Sequence, residues 1–297
     1  MLNFSAVVDL TEKLCYNKTK KEIDMKRTTL RLLALIITVA LTVLSLTGCT
    51  FFENIGKAFL GIFDGDLTDS DDAEFSLDEA INEITTSVMC SEVTVITEYY
   101  NKNPWGTVTD SATSQGSGTV IMRSTASDMC YVLTNAHCIE DMSEYTYKTV
   151  SVIDYHGNTH TNAEVRYSSI SSEYDLAIVQ FYCSDKDITP LPLAKQNPRI
   201  GETVIALGSP YSQMNSITVG EATSYYTGNL IDVEALYHTA PLGSGGSGGA
   251  LLNTDLELCG VNFAADTTEG DFGNGSAIPI EAVREYLSQF TIFNLIL

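Results

Sequence analysis

The chain has 297 residues, 44% of them apolar and 15 of them tyrosine, which suits a packed globular protein and excludes a disordered one. Its net charge of −22 is unevenly spread: residues 1–48 carry 7 Lys/Arg against 4 Asp/Glu, and the remainder carries 9 against 34. A body that acidic repels phosphate backbones, so no nucleic acid partner is expected.

In chain order, residues 1–24 precede Met25 and read as an extension ahead of the true start. Lys26, Arg27 and Arg31 then lead into fifteen uncharged residues, Leu32–Leu46. A charged segment followed by an apolar run short of the roughly 20 residues that span a bilayer predicts a signal peptide over 25–48. The run ends in Leu46-Thr47-Gly48-Cys49, which resembles the lipobox of bacterial lipoproteins. That resemblance implies a lipid-modified (palmitate-bearing) Cys49 as the first mature residue and anchorage to the bacterial cell membrane. An N-terminal membrane-spanning anchor is the other reading, and both place the body outside the cytoplasm. Residues 49–86 are expected to form an acidic tether ("DGDLTDSDDAEFS") and a short helix, with Ser76 and Glu79 as a capping box and Leu77, Ala80, Ile81 and Ile84 on one face.

From about residue 87 to the end the pattern is β. Short runs ("VTVI", "GTVIM", "YVLT", "TVSVID", "AEVRY", "LAIVQFY", "TVIALG", "ALYHT", "ALLN", "LCGVNF") alternate with Gly, Asn, Ser and Asp turns. Strands this short and numerous, without helices between them, predict an all-β fold of antiparallel sandwiches or barrels. The last element, "PIEAVREYLSQF", spaces Ile280, Val283, Leu287 and Phe290 along one face of a helix starting at Pro279.

The stretch "APLGSGGSGGALLN" (240–253) has the composition of a flexible spacer, yet it also carries Gly-x-Ser-x-Gly at 245–249. A serine nucleophile needs a base, and the four histidines (His137, His156, His160, His238) all precede Ser247. The order Ser, acid, His of the α/β-hydrolases is therefore impossible, and the parallel α/β pattern of that fold is missing. The order His, Asp, Ser remains.

Five segments resemble the trypsin-like serine proteases, nearest the HtrA/Deg branch. "SGTVIMRSTASDMCYVLTNAHCI" is similar to the strand pair that ends in the catalytic histidine, which puts His137 in the base position. "SSEYDLAIVQF" puts Asp175 in the acid position. "GETVIALGSP" resembles the start of the second barrel, "GGSGGALLN" the nucleophile loop with Ser247, and "GNGSAIPIEAV" the closing strand and C-terminal helix. The resemblance covers about residues 87–290 and implies two antiparallel six-stranded β-barrels with a C-terminal helix. It also implies a serine endopeptidase acting on protein or peptide substrates, with no cofactor and no metal. The catalytic set would be His137, Asp175 and Ser247, with the amides of Gly245 and Ser247 as oxyanion hole. Ser247 is preferred to Ser244 because a strand follows it directly. Leu242, Asn262, Phe263, Ala264 and Ser276 would line the specificity pocket, with His238 as a further candidate, and the edge at 262–264 would take an extended substrate.

The sequence departs from the family at Gly246, where Asp or Asn is usual; the extra glycine is expected to loosen the oxyanion loop. No PDZ-like segment follows in the sequence, so the resemblance implies a protease domain alone. A rival reading is a surface lipoprotein that keeps the protease fold for binding or chaperone-type work without useful turnover. Beyond Cys49, five cysteines (Cys90, Cys130, Cys138, Cys183, Cys259) form an odd set, so at least one is unpaired within the chain. His156-Gly157-Asn158 reads as a hairpin turn with His160 on the next strand, and no Cys/His spacing of metal-site type appears.

Overall fold

The structure is a computed structural model that describes residues 82–297 apart from 171, 213–214, 229 and 267–271. The extension, the signal peptide, Cys49, most of the tether and the Ser76/Glu79 capping box lie outside the described residues. Two short helical turns, Ile84–Val88 and Met89–Ser91, lead into the first strand, and Ile84 is fully buried.

Six strands follow: β1 (Glu92–Lys102), β2 (Val108–Ser124), β3 (Met129–Thr134), β4 (Tyr147–Asp154), β5 (Thr159–Ser168) and β6 (Ala177–Tyr182). They close into a barrel in the order β1-β2-β3-β6-β5-β4, every pairing antiparallel. The second barrel contains β7 (Thr203–Gly208), β8 (Ser216–Tyr226), β9 (Ala235–Leu242), β10 (Ala250–Leu252), β11 (Leu258–Asp266) and β12 (Gly273–Pro279). Its order is β10-β11-β12-β9-β8-β7. Closure leaves neither sheet with a free edge along its full length, which removes the usual route to strand-mediated aggregation.

The alternation of the sequence explains the filling. In the first barrel Val93, Val95, Val120, Val132, Val152 and Val179 point inward, and their branched side chains pack well on a pleated surface. Each sequence run quoted above falls on a strand. Strand β8 was not among them, because of its residues only Ala222 is buried and no alternation marks it. Its Gly220 lets β8 approach β9 closely: a Cβ there would lie 2.0 Å from the Ala240 amide nitrogen. Helix α1 (Ile280–Ser288) begins one residue after Pro279 and buries Ile280, Val283 and Leu287, as the spacing required.

Candidate active site

The register of the first barrel brings base and acid together. Thr134 at the end of β3 pairs with Ala177 at the start of β6, so residues 137 and 175 emerge side by side. His137 lies in the short 3-10 turn Ala136–Cys138, where its amide donates to Asp175 Oδ1 at 2.9 Å. Its Nδ1 lies 2.7 Å from Asp175 Oδ2. Asp175 has a left-handed backbone (φ 51°), a conformation that Asp and Asn tolerate better than other side chains. Its carbonyl is gripped by the Asn135 side-chain amide at 2.9 Å and the Ala136 N–H at 3.2 Å. The carboxylate is nearly enclosed, whereas the imidazole keeps 39% of its side-chain surface open. With Nδ1–H committed to the carboxylate, Nε2 is left as the proton acceptor. Burial works against a charged ring, but the bond to Asp175, aided by the Cys138 sulfur, outweighs it and holds His137 above the usual imidazole range.

The nucleophile loop is ordered through its carbonyls. Gly243 O accepts from Gly246 N–H (2.9 Å), Ser244 O from Tyr211 N–H (2.7 Å), Gly246 O from Gly249 N–H (3.1 Å) and Ser247 O from Ser117 N–H (2.7 Å). Gly245 O accepts from the Ser117 hydroxyl at 2.8 Å. In a trans peptide the N–H points opposite to the C=O. Fixing the carbonyls of Ser244 and Gly246 therefore turns the amides of Gly245 and Ser247 the other way, and neither donates a hydrogen bond among the described residues. Gly246 has no side chain to add to these bonds, so the loop's hydrogen bonds run through its backbone and the Ser117 hydroxyl. Gly248 (φ 87°) has no alternative, since a Cβ would sit 2.2 Å from the Ser117 carbonyl oxygen.

Ser117 sits at the junction of the barrels: its hydroxyl donates to Gly245 O and accepts from Ser209 N–H at 2.8 Å. Thr94 adds a 2.7 Å bond to the Ser209 hydroxyl. Neither Ser117 nor Tyr211 was singled out from the sequence. Tyr211 takes a left-handed conformation (φ 50°) that its residue type does not announce, and its role is carried by a backbone amide.

The Ser247 hydroxyl donates to the Phe263 carbonyl at 3.2 Å, and among the described residues no hydrogen bond joins it to His137. Cys138 Sγ, next to His137 in the chain, lies 3.8 Å from the Ser247 carbonyl oxygen, so the turn that carries His137 borders the loop that carries Ser247. Ser244, by contrast, is exposed.

Around the expected pocket, Leu242, Phe263 and Ser276 are almost fully buried and Ala264 is half-buried. The Ser276 hydroxyl accepts from Tyr226 OH at 2.9 Å. His238 lies in the middle of β9 and is completely enclosed in the second barrel. Its Nε2 is 3.1 Å from Asn262 Oδ1, while Nδ1 has no hydrogen-bond partner. Burial, only partly offset by Asn262, pushes its pKa down to about 4, so the ring is neutral at pH 7. The Asn262 side-chain amide turns inward to the Ala250 carbonyl at 3.0 Å, and its backbone bonds Gly248 and Gly249. The strand edge facing the nucleophile thus starts at Phe263. A Cβ on Gly275 would meet His238 Cε1 at 2.2 Å and Leu242 Cδ1 at 2.6 Å, so an uncharged imidazole and a leucine fill the space beside that glycine. All five described cysteines are buried and unpaired.

A family profile described as "Trypsin-like peptidase domain" matches residues 116–261. "Serine protease HTR4" from Bos taurus is 28% identical over 166 residues, covering 54% of this chain and 32% of that protein. "Protease Do-like 5, chloroplastic" from Arabidopsis thaliana is 29% identical over 167 residues, covering 52% and 51%. This chain thus spans about a third to a half of the length of these curated relatives. Among solved structures, the serine endoprotease from Yersinia pestis aligns with TM-score 0.51 at 24% identity, covering 75% of this chain and 67% of that one. The "HtrA-type protease AlgW with decapeptide" aligns with TM-score 0.57 at 21% identity, covering 71% and 66%. These two likenesses concern the fold. By sequence, residues 116–261 are similar to trypsin-like peptidase domains, and about half of the chain is similar to proteins described as serine proteases of the HTR and Do-like type.

Proposed function

We propose that the protein is an extracytoplasmic serine endopeptidase, held at the bacterial membrane by lipid on Cys49, that cuts extended or unfolded polypeptides. The observation that carries the chemistry is the 2.7 Å His137–Asp175 pair beside a loop whose Gly245 and Ser247 amides are oriented but unbonded. His137 Nε2 takes the proton of Ser247 as Oγ adds to the scissile carbonyl, and Asp175 holds the tautomer and balances the imidazolium. The two amides receive the oxyanion. His137 then gives its proton to the leaving amine, and a water deprotonated by the same ring releases the acyl group.

Before the first step Ser247 must rotate from the Phe263 carbonyl toward His137. A substrate strand docking along Phe263–Ala265 would compete for that carbonyl with its own N–H, which favours the turn. The floor made by Leu242 and a neutral His238 offers no counter-charge. A buried Lys or Arg would cost several kcal/mol there, while an aliphatic side chain gains about 0.8 kcal/mol per methylene. Cleavage after Val, Ala or Leu is therefore expected. Sequencing the fragments of a denatured casein digest tests this reading, with a Ser247→Ala protein as blank. Cuts mainly after aliphatic residues support it, and cuts mainly after Lys or Arg refute the pocket. Equal digestion by the blank refutes the chemistry and leaves a binding role.

A further inference from the structure

At the far end of β6 from Asp175, roughly 20–25 Å along the strand, three donors that the sequence keeps apart meet. Asp154 ends β4, His160 stands near the start of β5, and Cys183 follows β6. One ligand atom from each lies within 4.8 Å of the others, and among the described residues no other such trio of His, Cys, Asp or Glu occurs. We propose that Asp154 Oδ2, His160 Nε2 and Cys183 Sγ form a binding site for a divalent, borderline-soft metal ion, for which zinc is the best match. The proposal is independent of the peptidase reading.

The donor set argues for the ion type. A thiolate and an imidazole disfavour calcium and magnesium, which take oxygen ligands, and suit zinc. A carboxylate, a thiolate and a neutral imidazole carry −2 together, so a divalent ion leaves the buried site neutral.

The surroundings hold the donors in place. Asp154 Oδ1 accepts the amides of His156 (3.0 Å) and Asn158 (2.9 Å), which leaves Oδ2 toward His160 Nε2 at 2.9 Å and the Asn158 side chain at 3.1 Å. The His160 ring packs on Phe181 with centroids 4.7 Å apart. Burial pushes the Cys183 thiol up, and the Asp185 amide works against it by favouring the thiolate. Arg123 binds the carbonyls of Cys183, Asp185 and Ile188 and so stiffens the loop that carries the thiol. Asp154 and Cys183 are buried, and His160 is open enough to admit an ion from solvent. His156 and Asp185 pair with each other, Nε2 to Oδ2 at 3.8 Å, and stand outside the trio, so water completes four-coordination. On binding, Cys183 releases its proton to solvent, and the proton that His160 Nε2 holds toward Asp154 is exchanged for one on Nδ1, so that Nε2 presents its lone pair to the ion.

Cobalt(II) titration of the full chain tests the site. We expect about one tightly bound cobalt per chain with a thiolate-to-cobalt absorption band, displaced by zinc and not by calcium, and lost in Cys183→Ser and His160→Gln but kept in Cys259→Ser. Absence of the band in the wild type, or its survival in both site variants, overturns the proposal. Should the variants fail to fold, iodoacetamide labelling of the wild type read peptide by peptide decides. Zinc should slow labelling of Cys183 by roughly tenfold or more relative to Cys130, and equal labelling with and without zinc overturns it.

Discussion

Replacing Asp175 by Asn separates the chemistry from the folding. The residue needs a left-handed backbone, which Asn adopts as readily as Asp, and its carbonyl keeps both bonds to Asn135 and Ala136. What changes is the acceptor. Asp175 now serves the His137 amide with Oδ1 (2.9 Å) and the ring with Oδ2 (2.7 Å). A carboxamide has one oxygen and one NH2, so one of the two donors must face another donor. If the oxygen stays on the backbone amide, the NH2 forces the imidazole into the tautomer whose Nε2 carries the proton, and that ring cannot act as base. The expected loss in kcat is about 10⁴-fold, or roughly 5 kcal/mol of transition-state stabilisation, with KM little changed. The pH profile should move as well. In the wild type the carboxylate outweighs burial and raises the His137 pKa, so the reactive neutral ring appears, and activity climbs, on the alkaline side of the usual imidazole range. Without the carboxylate, only the Cys138 sulfur is left to oppose burial, and the limb of any residual activity shifts to lower pH. Peptide hydrolysis from pH 5 to 10 together with thermal melts supplies both readouts. A loss below tenfold in a folded variant, or an unmoved limb, would refute the assignment of Asp175.

Ser117→Ala leaves Gly245 O and Ser209 N–H without their shared partner at the barrel junction. At about 1–3 kcal/mol for each of the two unpaired groups, a stability loss of about 2–6 kcal/mol is expected in urea denaturation, with kcat falling because the oxyanion loop loses a tether. Glu92 lies buried against the start of β10 with Oε1 unpaired, and desolvation holds its pKa well above the usual carboxylate range despite help from Thr119 and the Ala250 amide. A raised folded pKa means that its stabilising protonated form is fully present below the unfolded value and is lost as pH rises through the folded one. Glu92→Gln should therefore raise the melting temperature at alkaline pH, by roughly 2–4 °C per kcal/mol relieved, and flatten its decline with pH; an unchanged decline would count against a protonated Glu92. Ser244→Ala should retain most activity, since the residue contributes a backbone carbonyl; a loss equal to that of Ser247→Ala would mean the nucleophile is misplaced.

Alternation in runs such as "TVSVID" and "LAIVQFY", where Val150, Val152, Ala177, Val179 and Phe181 are buried, makes antiparallel sandwiches or barrels legible, and the resemblance to the trypsin-like proteases adds that there are two six-stranded barrels. The placement of His137 beside Asp175 follows from one strand pairing, which the motifs anticipate. Strand β8 escaped because it is half-exposed on both faces and so has no periodicity to detect. Two other features depend on three-dimensional closure. Asn262 looks like a pocket residue by position, but its side chain turns inward to His238 and Ala250 and its backbone serves the nucleophile loop. Asp154, His160 and Cys183 are 6 and 23 residues apart, a spacing without meaning until β4, β5 and β6 are laid side by side. Tyr211 acts through a main-chain N–H, which no side-chain pattern encodes.

The central claim is that Ser247 is a nucleophile activated by His137 and Asp175. A fluorophosphonate probe, which forms a covalent bond only with an activated serine, tests it most directly when the labelled peptide is sequenced. Labelling at Ser247 that disappears in His137→Ala and persists in Ser244→Ala is the predicted result. An unlabelled wild-type protein, or label on Ser244, would contradict it.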